Sequence, residues 1–224
     1  MRTTLVTHDS IFSRYLASRL ASAGALDRLI VERRAAPPRF YWRKLKRVGP
    51  VNAVFQYWLN RDIRKSAARV LSDAPMPVHE SVASVSECTF GDDELVIGFG
   101  TSIISAATLA RAPRGILNLH TGWLPDFRGV KSEFWALKRG ARDKVGWTLH
   151  YMTPRLDDGD IVLRHAIQAQ GDDIGRLRAQ IMIDAVPKLA DFMQAVRRGG
   201  FESISRQAQG EGEYFTTPRL RDWV

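Results

Sequence analysis

Cysteine is nearly absent from this chain. Its 224 residues include one, Cys88, so neither an internal disulfide framework nor a cysteine-rich zinc site can form. The five histidines, His8, His79, His120, His150 and His165, show no paired ligand spacing, and no metal is expected. No run of about 18 apolar residues occurs, which excludes an ordinary membrane-spanning helix. The opening MRTTLVTHDS turns polar too soon for a secretory signal. Internal repeats and low-complexity blocks are missing as well. These absences lead us to expect a soluble, cytoplasmic protein. A chain of this length buries roughly 70% of the surface exposed by its unfolded form, so it needs no covalent staple.

Acidic residues are scarce in one place. Residues 31–70 hold 11 Lys or Arg against Glu32 and Asp62, a local balance of +9, and the whole chain carries that same net charge of +9. The remainder is therefore neutral. A basic segment of this kind attracts phosphates, acidic carriers, RNA or an anionic membrane face, and charge alone does not choose among them; solvated helix faces would look the same.

Hydrophobic patterning gives alternating strands and helices. Residues 2–7 read as a strand, and Ser10 caps a helix with Phe12, Leu16 and Leu20 at helical spacing. Leu29 to Val31 form a second strand. After a break at 36–38 and the aromatic, basic stretch RFYWRKLKR, positions Val51, Val54, Phe55, Trp58 and Leu59 predict one apolar face of an amphipathic helix. Residues 78–90 yield only a short strand and turn. ELVIGFG at 94–100 is an unbroken apolar run, as in a parallel strand buried on both faces. A helix over Ser102 to Ala112, a strand at 115–120, a helix over 129–140, strands at 145–152 and 160–168, and a long helix near 173–198 follow. The order predicts an α/β fold, a mostly parallel twisted sheet with helices on both faces.

Ligands of such sheets bind at the carboxyl ends of the strands. There the sequence places Asn118 and His120, two apart and so on the same side of their strand. Asp157 follows 37 residues after His120, and Gly159 allows a tight turn to bring a carboxylate back. A histidine held by a carboxylate beside an amide donor can transfer protons and stabilise an oxyanion. A capped strand end with an incidental imidazole would share the spacing.

The ordered string VIGFGTSII, NLH, LPDFRG, FWAL, VGWTLHYM and LDDGDIV, between Leu95 and Ala166, resembles the formyltransferase family of glycinamide ribonucleotide, methionyl-tRNA and sugar N-formyltransferases. The resemblance implies a Rossmann-like catalytic domain over residues 1–200, containing the basic segment 31–70, with a carboxyl-terminal tail at 201–224. It implies 10-formyltetrahydrofolate as co-substrate, with Asn118, His120 and Asp157 as catalytic residues and His150 supporting Asp157. Asp158 and Asp160 become turn or capping residues. The folate is expected along Gly100, Thr101, Ser102 and Ile103 and against Thr153 and Leu156, mostly on backbone groups.

The acceptor is less constrained. Asp9 and Ser10 can meet an acceptor's polar groups or merely cap their helix, and Trp42, Arg43 and Trp123 are further candidates. Where many members carry a Ser two positions after the His, this chain has Thr121, Gly122 and Trp123, which implies a rebuilt acceptor side. The residues after 198 are too few for the barrel with which methionyl-tRNA formyltransferase helps hold RNA, so tRNA is disfavoured. The leading expectation is transfer to a primary amine of a nucleotide-linked amino sugar, with Phe40, Tyr41 and Trp42 against the base. The alternatives are a formyltetrahydrofolate hydrolase, a transferase for a peptide or siderophore amine, and a noncatalytic folate or nucleotide binder. The basic segment would alternatively serve an anionic membrane face or a homodimer contact.

Overall fold

A computed structural model describes residues 1–33, 42 and 45–223; Arg43 and the aromatic pair Phe40 and Tyr41 lie outside the described residues. The central sheet has seven strands: β1 (Arg2–His8), β2 (Arg28–Glu32), β3 (Glu80–Val82), β4 (Glu94–Phe99), β5 (Ile116–His120), β7 (Gly146–Tyr151) and β8 (Ile161–Ala166). Their spatial order is β3-β2-β1-β4-β5-β7-β8. The five strands from β3 to β5 run parallel, whereas β7 is antiparallel to both β5 and β8. A second, two-stranded parallel sheet joins β6 (Phe127–Gly129) to β9 (Glu213–Phe215).

Period-2 alternation divides the buried strand residues between two faces. Leu5, Leu29, Val31, Leu95, Ile97, Leu117 and Leu119 enter one core, together with α1 (Ile11–Ser22), α2 (Pro50–Ala68) and the long α5 (Ile174–Gly199). Val6, Ile30, Val96 and Ile116 face the other way, onto Val85, Cys88, Phe90 and Ala112. The expected doubly covered α/β sheet is the fold of the chain.

Three expectations need correction. The stripe predicted on α2 is only partly its buried face: Leu59 is buried and Phe55 packs on the core, but Val51, Val54 and Trp58 are more than half exposed, and Gln56, Ile63, Ser66 and Ala67 complete the buried face. Close approach decided the matter. A side-chain carbon at Gly175 of α5 would lie 2.4 Å from the Ile63 carbonyl and 2.7 Å from Ser66, so the small residues of α2 and α5 meet and the bulky arc turns outward. The helix expected over Ser102 to Ala112 shrinks to one turn, α3 (Ala106–Leu109), because Glu32 takes both the backbone N–H and the hydroxyl of Ser102, at 2.9 and 2.5 Å. The helix expected over 129–140 becomes α4 (Ser132–Lys138), because the preceding residues are drawn into pairing with β9.

The carboxyl-terminal residues pack on that segment. Phe215 is buried and stacks on Phe127 and Trp135 at ring separations of 5.6 and 5.0 Å. Trp223 stacks on Phe134 at 4.9 Å. The aromatic contact carries a testable consequence. Phe215→Ala should lower unfolding stability by about 3–5 kcal/mol, the usual cost of emptying a buried aromatic site, seen as a fall in the urea midpoint. An unchanged midpoint would show that the tail is not bound to the domain.

Candidate active site

The carboxyl ends of β1, β4 and β5 open onto one cavity of about 760 Å³. Asn118, His120, His150 and Asp157 line its wall together, so the structure brings together the triad read from the sequence. Asp157 lies in the loop between β7 and β8, at φ 50°, a left-handed backbone that non-glycine residues seldom adopt. Gly159 contributes differently from the expected turn: a side chain there would strike the Tyr151 carbonyl at 2.0 Å, so glycine is required for close packing.

Asp157 sits between two imidazoles. One carboxylate oxygen lies 3.7 Å from His120 Nδ1, and the other lies 3.6 Å from His150 Nε2. The backbone N–H of Gly129 donates to the first oxygen at 2.8 Å. Burial acts to raise the Asp157 pKa, but His120, the contact with His150 and the Gly129 N–H together outweigh it and hold the group at about 2. Its stabilising contribution is therefore present above the unfolded value near 3.8 and fades as pH falls toward about 2.

The tautomers follow from the neighbours. His150 Nδ1 donates to the Tyr151 carbonyl at 2.9 Å, which leaves Nε2 to accept from Asn118 Nδ2 at 3.0 Å in the neutral ring. His150 thus orients the Asn118 amide as well as approaching Asp157. One Asn118 N–H is used in this bond and the other remains for a ligand. His120 Nε2 donates to the Phe127 carbonyl at 3.0 Å. The nitrogen left for reacting atoms is Nδ1, on the Asp157 side. Burial pulls the His120 pKa below its usual value, opposed by the Asp157 charge, so the resting ring is neutral and able to accept a proton.

Gly122 explains part of the altered motif. A side chain there would come within 2.5 Å of His120 Nε2 and 2.6 Å of Ser132 Oγ. Ser132, at the start of α4, fills that space with its hydroxyl 3.3 Å from His120 Nε2.

Gly100, Thr101, Ser102, Ile103, Thr153 and Leu156 all line the cavity, as do Asp9 and Ser10. Ser10 caps α1 by accepting from the Ser13 N–H at 3.1 Å, and Asp9 pairs with Arg14 at 2.7 Å. Trp42 is exposed and outside the cavity lining. Trp123 also lies outside it, beneath the Arg164 guanidinium at 4.2 Å. Asp158 pairs with Arg128 and Arg155 at 2.9 and 2.8 Å and does not line the cavity. Sequence reasoning missed Glu32, which anchors the loop through Ser102, and Lys131, Arg64 and Arg178, which also line the cavity. Glu32 had been counted only as a surface charge, although its position at the end of a buried strand was a usable signal. Among the described residues no cluster of His, Cys, Asp or Glu is placed to hold a metal ion.

An Asn and a His on β5 and an Asp from the loop after β7, facing one cavity, form an arrangement able to move a proton and to donate to an oxyanion. Residues 82–184 match the family model described as formyl transferase. Over 99 residues it is 32% identical to a methionyl-tRNA formyltransferase of Anaeromyxobacter dehalogenans, covering 44% of this chain and 31% of that protein. It therefore spans about a third of the length of that curated relative. The formyltransferase of Anoxybacillus kamchatkensis, solved with UDP-4,6-dideoxy-4-formamido-L-AltNAc and tetrahydrofolate, superposes with a TM-score of 0.56 at 17% identity, over 98% of this chain and 87% of that one. Glycinamide ribonucleotide transformylase 1 of Symbiobacterium toebii superposes with a TM-score of 0.56 at 20% identity, over 94% and 95%.

The opposed influences on His120 give a direct check. In Asp157→Asn the carboxylate that supports the imidazolium is gone while burial persists, so the His120 pKa should fall further. An NMR pH titration of its ring resonances reads this shift; an upward shift would contradict the assigned geometry.

Proposed function

We propose that this protein moves a formyl group from 10-formyltetrahydrofolate to a primary amine, most plausibly the amine of a nucleotide-linked amino sugar. The observation that carries the proposal is the convergence of Asn118, His120, His150 and Asp157 on one cavity wall beside the loop 100–104. The folate supplies an activated formyl carbon. Its binding fits a cavity that offers the Gly100 turn, the apolar Ile103 and Leu156, and Thr153 along one side.

The residues of the chain account for the transfer. As the amine attacks, a carbon–nitrogen bond forms to the formyl carbon and charge builds on its oxygen. The free Asn118 N–H donates to that oxygen. His120 Nδ1 accepts the proton released by the amine, and Asp157 stabilises the resulting imidazolium at short range. The old carbon–nitrogen bond then breaks, and the proton passes from His120, by way of water, to the departing folate nitrogen. Atoms and charge balance, and His120 returns to its neutral state.

Support for a sugar acceptor comes from the formamido-sugar nucleotide bound to the Anoxybacillus neighbour. The methionyl-tRNA formyltransferase relative makes aminoacyl-tRNA the competing acceptor. The deciding assay measures tetrahydrofolate release from 10-formyltetrahydrofolate with amino-sugar nucleotides, with methionyl-tRNA and without any amine. An amine-dependent rate that falls about 100- to 10,000-fold in His120→Ala, the usual contribution of a positioned general base, is expected. Formate release without an amine would identify a hydrolase, and equal rates in wild type and variant would remove His120 from the chemistry.

A further inference from the structure

The cavity lining includes a cluster of cations, with Arg64 and Arg178 close enough to Lys131 to act on its charge. Arg64 comes from α2, Lys131 from the turn before α4 and Arg178 from α5. Arg178 is committed to Glu133 at 2.5 Å, and the Glu133 side chain is fully buried. Among the described residues neither Arg64 nor Lys131 has an ion-pair partner, which leaves three cations to one acid. The backbone commits to this arrangement, for Lys131 adopts φ 60°, an uncommon conformation for a side-chain-bearing residue.

The charge is costly without a ligand. Burial, with the Arg178 and Arg64 guanidiniums, presses the Lys131 pKa down to about 7, with Glu133 opposing. Two unneutralised positive charges match a phosphoryl dianion or a diphosphate better than a single carboxylate, and guanidiniums bind phosphoryl oxygens through paired N–H groups. Asp9, a further acid of the cavity lining, is held by Arg14.

We propose that Arg64, Lys131 and Arg178 form a subsite for a phosphoryl group on the amine substrate. The proposal rests on the reading that the acceptor enters this cavity. It places the phosphate contacts on these three residues.

Calorimetry on the full chain tests it apart from catalysis. UDP represents a nucleoside diphosphate, and glucosamine 6-phosphate represents a free sugar phosphate. At pH 8, where free Lys131 is mostly neutral, an anion bound beside it should recharge it, so binding takes up a proton. Titrations in buffers of different ionisation enthalpy read this uptake. We expect at least one probe to bind, with Lys131→Met and Arg64→Gln each weakening it about tenfold and Lys131→Met abolishing the uptake. The probe that binds identifies the source of the phosphate. Unchanged affinity in Lys131→Met, or no binding of either probe, would overturn the subsite. Tight binding with uptake but no formyl transfer would keep the subsite and reject the transfer reaction.

Discussion

The charge on Asp157 organises the site. A buried carboxylate is costly unless its oxygens are satisfied, and here the Gly129 N–H donates to one oxygen while the rings of His120 and His150 approach at 3.7 and 3.6 Å, from three separate parts of the chain. Because the carboxylate stays ionised, it sets the proton affinity of His120 against the opposing pull of burial. His150 lies between the same carboxylate and the Asn118 amide, accepting from the amide through Nε2. The amide, the base and the carboxylate are thus one coupled unit, and a shift in any of the supporting segments is felt by all three.

Gly129 joins that unit to the end of the chain. Its φ is 97°, and a side chain there would lie 2.1 Å from the Phe215 carbonyl. The short sheet of β6 and β9 therefore holds in place the N–H that Asp157 needs. Stacking of Phe215 on Phe127 and Trp135 ties the same segment to α4, whose first residue, Ser132, touches His120. The carboxyl-terminal residues act on the chemistry through position, without contacting Asp157 themselves.

The strands were readable because burial on both faces leaves unbroken apolar runs, as in ELVIGFG, and because Asn118 and His120 fall at the end of such a run. The pairing of β6 with β9 was not readable, since it depends on aromatic contacts between segments far apart in sequence. The face of α2 was partly misread for a related reason: Ser66, Ala67 and Gly175 permit close helix contact, and no measure of apolarity along one helix registers a partner's glycine. Lys131 had no signal of its own, because its significance comes from Arg64 and Arg178 brought beside it. Trp42 and Trp123 were attractive on residue type, but the one is exposed away from the cavity and the other packs under Arg164.

The central claim is that Asn118 and His120 Nδ1 face the formyl group from one side while Asp157 backs the imidazole. A crystal structure with the stable analogue 5-formyltetrahydrofolate tests it most directly. The account predicts the pteridine along residues 100–104 and the folate nitrogen that carries the transferable formyl within about 4 Å of Asn118 Nδ2 and His120 Nδ1, a separation suited to reaction. Folate bound against Lys131, or with that nitrogen remote from both side chains, would contradict it.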